Sequence, residues 1–167
     1  SRLLVDARVL SIFEGANELL RFHISSAALG FATSLAAGPR LTARVDGRLS
    51  ALAHAVDGHI VAYAQTIEAL RTRYGIRVAD HQSLLARLAD ASIGLFTLIA
   101  VVLRAHGELR VAPSGDRAEQ VVRLAHHAAE SLSRTVVASI AATTGEVTEK
   151  RVGLISDFEY AEISRGL

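Results

Sequence analysis

Residues 12–15 read Ile-Phe-Glu-Gly, which sets one carboxylate between two bulky apolar residues and a glycine. Apolar surroundings disfavour the anion, so the pKa of Glu14 is expected to rise towards that of a working base. Gly15 lets the backbone come close to a ligand with no side chain in the way. A helix opens at Asn17, and its first turn carries N–H groups without intrahelical acceptors, which suits an anionic or electron-rich group in front. The plainer reading of Glu14 alone is a cap or a dipole partner at a helix start. Glu18 and Arg21 are then an i,i+3 surface pair, worth a few tenths of a kcal/mol, roughly 0.2–0.5.

Other chemistry finds less support. Of the seven histidines, His126 and His127 crowd one helix turn with Glu130, and His54 and His59 lie on another helix. A carboxylate-bridged metal bundle needs a Glu-x-x-His pair on each of two helices, and neither helix has one, so no metal is expected. Ser131 and Ser133 lie near His127, yet no Gly-x-Ser-x-Gly turn accompanies them. With no cysteine, a thiolate nucleophile, a disulfide framework and cysteine-based metal sites are excluded. Arg40, Arg44 and Arg48 fall at four-residue spacing, one face if that segment is helical. A solvated face is the favoured reading of them, and contact with anionic headgroups the alternative.

The elements that must position these residues are helical. Asn17 is the best N-cap, and the helix from it runs to about Ala37, where Gly38-Pro39 stops it. Apolar side chains at Leu49, Leu52, Val56, Ile60, Tyr63, Ile67, Leu70 and Tyr74 repeat every three or four residues. This second helix spans about Thr42 to Tyr74, with a break near Asp46-Gly47 and a second weak point at Gly58. Gly75 is placed as a C-cap and Asp80 as the next N-cap. The third helix carries Leu84, Leu85, Leu88, Ser92, Leu95, Phe96, Ile99, Val102 and Leu103 on one stripe. Ile93, Leu98 and Val101 lie off it and are also apolar, so this helix is expected to be the central, most buried one. Pro113-Ser114-Gly115-Asp116 is a turn followed by a cap. The fourth helix runs to about Ala142 and ends at Thr143-Thr144-Gly145, with a short helix from about Val147 to Asp157 beyond. The fold class is all-α, an antiparallel bundle of about four long helices.

Composition agrees. The 167 residues are 50% hydrophobic, with only 5% aromatic and two prolines, which favours close helix packing over a β-sandwich. A net charge of +1 demands no nucleic acid or acidic partner. The apolar run Ala91 to Leu103 is shorter than the roughly 20 residues a bilayer takes, and reads as a buried helix. No signal peptide is visible. Lys150 is the single lysine among 18 basic residues, a bias of GC-rich bacterial genomes, and a cytoplasmic or peripherally membrane-bound location is expected. With no methionine in the chain, Ser1 is not an ordinary translation start, and the chain reads as a fragment or a processed product.

Residues 6–21, D-A-R-V-L-S-I-F-E-G-A-N-E-L-L-R, resemble the acyl-CoA dehydrogenase segment D-x-R-x-x-x-I-F/Y-E-G-T-N-E-I-x-R. His81-Gln82-Ser83-Leu84-Leu85-Ala86-Arg87-Leu88-Ala89-Asp90-Ala91-Ser92-Ile93, with the apolar run after it, is similar to the helical C-terminal extension of the very-long-chain branch. The resemblance implies that Glu14 is the base that takes the α-proton of an acyl-CoA, while a β-hydride passes to FAD. It implies that Gly15 borders the substrate and that Ala16, Asn17 and Glu18 face the FAD. Two departures stand out: the usual threonine is Ala16, and the arginine often found before the aspartate is Val5. The missing hydroxyl removes one hydrogen bond, typically about 1 kcal/mol.

On this reading residues 1–37 complete the catalytic helical domain and residues 38–167 form an appended helical domain. The N-terminal helical and middle β-domains, which hold most flavin and acyl-CoA contacts in the family, are the implied covalent partners. An electron-transferring flavoprotein or similar acceptor and a homo-oligomer, dimer favoured, are implied as well. The segment alone is expected to be inactive. The rival reading is a non-catalytic helical interaction or oligomerisation module that retains the motif.

Overall fold

The structure is a computed structural model that describes residues 17–38 and 40–163; for residues 18, 31–37 and 146–163 it describes the backbone alone. Four long helices appear: α1 (Asn17–Ala37), α2 (Ser50–Tyr74), α3 (Gln82–Val111) and α4 (Asp116–Ile163). No strand occurs among the described residues. This is the all-α bundle that the periodicity implies. α3 packs against α1, α2 and α4, most extensively against α4, and so takes the central place expected of it.

Glycine and proline punctuate the chain where backbone sterics require. After Gly38-Pro39 the chain does not return directly to α-helix. Two short 3-10 turns, Leu41–Arg44 and Gly47–Leu49, precede α2, which is the break expected near Asp46-Gly47. The buried carboxylate of Asp57 fastens the first of them, accepting from Leu41 N at 2.9 Å, Thr42 N at 3.2 Å and Thr42 Oγ1 at 3.0 Å. Burial alone would raise the pKa of Asp57; the three hydrogen bonds outweigh it and hold the group below the usual carboxylate range. At the second turn, the Asp46 carboxylate caps Arg48 N at 3.0 Å and binds the Arg48 guanidinium at 2.8 Å. Arg48 also donates to Pro113 O at 2.9 Å, and His106 Nδ1 accepts from Asp46 N at 3.1 Å. This segment is therefore latched to the α3–α4 turn. Arg40, Arg44 and Arg48 do not share a helical face, because the chain is extended at Arg40 and at Val45.

Gly75 takes a positive φ of 54° and closes α2, its N–H donating to Arg71 O. Residues Gly75–Asp80 then form a third 3-10 turn. Asp80 is thus not the cap of α3. That place falls to His81, which makes no side-chain cap bond; its ring lies 4.0 Å from that of Tyr74 between centroids.

The core runs along α3: Leu84, Leu85, Leu88, Leu95, Leu98 and Val102 are buried with Leu49, Val56, Ile67, Leu70 and Val136. Two residues assigned to the inward stripe face out, Phe96 at 75% exposure and Leu103 at 47%, whereas Leu98, read as off the stripe, is fully buried. The inward face is thus rotated because α3 serves three neighbours rather than one. Tyr63 and Ser92 share a short hydrogen bond between α2 and α3, and Ser92 also donates to Leu88 O at 3.0 Å. By length and composition α3 could cross a membrane, although the run Ala91 to Leu103 alone falls short.

Gly115, at φ 81°, starts α4, and its carbonyl accepts from Ala118 N at 3.0 Å. α4 does not end at Thr143-Thr144-Gly145. It continues for 48 residues to Ile163, so the separate short helix expected over 147–157 is part of it. The threonine hydroxyls bond back within the helix, Thr143 to Ser139 O at 2.8 Å and Thr144 to Ile140 O at 2.9 Å. One glycine in a helix costs only about 1 kcal/mol.

Candidate functional site

The site indicated by sequence lies where α1 begins. Glu14, Gly15 and Ala16 fall outside the described residues. Asn17 is the first residue of α1 and is exposed; Glu18 follows in the helix, described by its backbone. The start of a 21-residue helix therefore stands in the open directly after the Ile-Phe-Glu-Gly string. Its first-turn N–H groups can meet an electron-rich partner there.

One turn further, Arg21 does not depend on Glu18. Its Nε donates to Asp90 Oδ1 of α3 at 2.8 Å, with both side chains 39% exposed. The pair borders a cleft of about 740 Å³ between α1 and the first half of α3, lined by Leu19, Phe22, Gln82, Ser83, Leu85 and Ala86. The apolar wall comes from both helices, and Leu19 and Leu20 are 53% and 40% exposed. Packing tightens from Ser25 onward: Ser25 is buried and donates to Phe22 O at 3.0 Å, and Ala28 and Leu29 join the core. Asp90, Gln82 and Ser83 escaped the sequence reading, since nothing local marks a residue 69 positions away as the partner of Arg21.

The remaining candidates are dispersed. Among the described residues no group of three or more His, Asp or Glu side chains stands where it could hold a metal ion. His126 and His127 are exposed, as are Ser131 and His54, and Glu130 accepts from Arg134 Nη1 at 2.7 Å. His59 Nε2 is buried without a hydrogen-bond partner, and burial lowers the pKa of that ring.

The sequence model of the family described as "ACAD9/ACADV, C-terminal domain" matches residues 47–157, which is more than half of the chain and takes in α2, α3 and most of α4. The chain belongs to that family. It is thus the C-terminal domain of a member of the acyl-CoA dehydrogenase family, as the 81–103 stretch suggested. Among solved structures, the fold is similar to that of an acyl-CoA dehydrogenase from Bacillus anthracis, crystallised in complex with FAD. The TM-score is 0.72 at 20% identity, over 90% of this chain and 28% of that one. The chain thus spans little more than a quarter of the length of the enzyme it resembles. The family match begins after α1 has ended, so α1 and the Glu14 string lie on its N-terminal side.

Proposed function

We propose that this chain is the C-terminal part of an FAD-dependent acyl-CoA dehydrogenase in which Glu14 is the catalytic base. Residues 1–37 complete the catalytic helical domain, and residues 38–167 are the appended one. The observation that carries this reading is the Glu14-Gly15-Ala16-Asn17 string opening the exposed start of α1, immediately before a domain of this family.

Glu14 removes the proton from the carbon α to the thioester carbonyl, and the β-hydrogen leaves as hydride, so that a trans-2-enoyl-CoA remains. FAD, when bound, supplies the hydride acceptor. The chain's own contributions are more limited. Ile12 and Phe13 exclude water from the carboxylate, which keeps it basic enough to accept the proton. Gly15 leaves room for the acyl chain at the reacting carbons. Ala16, Asn17 and Glu18 would hold the flavin at the start of α1, and the exposed Asn17 suits that position. Proton transfer by a placed carboxylate is worth about 10² to 10⁴ in rate. The remaining acceleration rests on groups of the N-terminal and middle domains, so this chain alone binds FAD weakly and does not turn over.

Replacing Glu14 with Gln in the full-length polypeptide tests the reading. FAD should stay bound, and exchange of the α-proton of a saturated acyl-CoA with solvent should stop. Exchange that persists would move the base to another residue. The reaction product passes electrons onward to an electron-transferring flavoprotein or similar acceptor, and the assembled enzyme is a homodimer in a bacterial cytoplasm.

A further inference from the structure

We infer that Asp90, although it belongs to the appended domain, is a positioning residue for the base-bearing loop. The inference rests on Glu14 as the base. Glu14 precedes the first residue of α1 by three positions, so the height of α1 along its own axis sets the height of the loop. Arg21 sits one turn into that helix and meets Asp90 Oδ1 at 2.8 Å.

The pair matters because the packing around it is thin. Leu19, Leu20 and Phe22 are 53%, 40% and 39% exposed, and the cleft opens between the first turns of α1 and α3. Apolar contact is non-directional and lets a helix slide. A charge-assisted hydrogen bond to a fixed carboxylate does not, since its strength depends on distance and angle. From Ser25 onward the helix is held by the core; before it, the Arg21–Asp90 bond sets the register of α1 on α3. Asp90 touches neither substrate nor cofactor on this account. It acts through Arg21, the stiff first turns of α1, and the short link to Glu14.

An ion pair this exposed contributes little to global stability, so removing it leaves the protein folded and its effect appears in geometry. A displacement of about 1 Å can cost on the order of 100-fold in rate, and the loss of one of several restraints should displace the loop by less.

The test uses the full-length enzyme with Asp90→Asn, the swapped pair Arg21→Asp with Asp90→Arg, and Glu14→Gln as reference. Asp90→Asn should lower kcat about tenfold while KM for acyl-CoA stays within about twofold. It should also move the acid limb of the pH profile of kcat, which reports the base, and leave the melting temperature close to that of the unaltered enzyme. The swapped pair should recover most of kcat. If Asp90→Asn leaves kcat and its pH profile unchanged while Glu14→Gln abolishes α-proton exchange, the positioning role falls and the base assignment stands. If the swap gives no recovery and kcat falls only in step with folded protein, the pair is merely structural and the inference is overturned. If Glu14→Gln keeps exchange, the base assignment fails and this inference fails with it.

Discussion

A Cβ placed on Gly94 would lie 2.5 Å from Cγ2 of Val136. The backbone of α3 is therefore pressed against a side chain of α4 at the most extensive helix contact of the bundle. No L side chain fits without a shift, and Val136 is fully buried, so it has little room to give way. Gly94→Ala is expected to destabilise the domain by about 1–3 kcal/mol, the usual cost of overpacking. Val136→Ala removes the clashing methyl. The double variant should then cost less than the sum of the two singles, with a coupling of about 0.5–3 kcal/mol. Urea unfolding of the four proteins measures this, and strict additivity would mean that the helices part instead of clashing.

Asp57 predicts the acid behaviour of the fold. Its folded pKa lies below the ordinary 3.8, so the folded state binds the proton less readily than the unfolded chain. The stability it contributes is present above that ordinary value and is lost as pH falls through the depressed folded value. Asp57→Asn should flatten this acid limb of stability. It should also cost about 1–3 kcal/mol at neutral pH, because an amide oxygen replaces two carboxylate oxygens facing the Leu41 and Thr42 donors. Unfolding free energies from pH 2 to 7 for both proteins provide the check.

Tyr63 governs the opposite end of the scale. Burial pushes its phenol above the ordinary 10.0, partly offset by the Ser92 hydrogen bond. The folded state thus keeps its proton after the unfolded chain has lost it, and stability declines as pH rises through 10. Tyr63→Phe should lessen that alkaline decline while costing about 1 kcal/mol at pH 7 for the lost bond. Thermal melts at pH 7, 9 and 10.5 separate the two effects.

Leu98 and Phe96 provide a test of the rotated face of α3. Leu98 is fully buried and Phe96 is 75% exposed, so Leu98→Ala should cost about 2–5 kcal/mol and Phe96→Ala within about 0.5 kcal/mol. Comparable losses would place Phe96 inside after all.

These pairs show where sequence reasoning reached and where it stopped. The extent of α1, the break before α2 and the end of that helix at Gly75 were legible, because glycine, proline and an N-cap residue act through their own backbone conformations. The continuation of α4 through Thr143-Thr144-Gly145 was not. Composition marks those residues as a stop, while the hydroxyls bond to carbonyls of the preceding turn and keep the ladder intact. The inward face of α3 was half legible: period alone cannot tell which apolar residues remain outside once three neighbours divide the surface. Arg21 looked like the partner of Glu18 from spacing, but the choice of Asp90 arises only when two distant helices meet. The chemistry of Glu14 was read from its neighbours in the string, and Asn17 at the exposed start of α1 is the one flavin-facing candidate whose side chain the structure describes.

The turn 112–115 joins α3 to α4 within four residues, whereas α1 reaches α3 only across α2 and its flanking turns. Closing the longer loop costs more chain entropy, and the early turns of α1 have little apolar contact to offset it. In hydrogen–deuterium exchange the amides of residues 20–24 should therefore label well before those of residues 94–102. The most durable seam of the domain is thus a hairpin remote from catalysis, and the element leading to the reactive carboxylate is the first to detach under thermal or chemical stress.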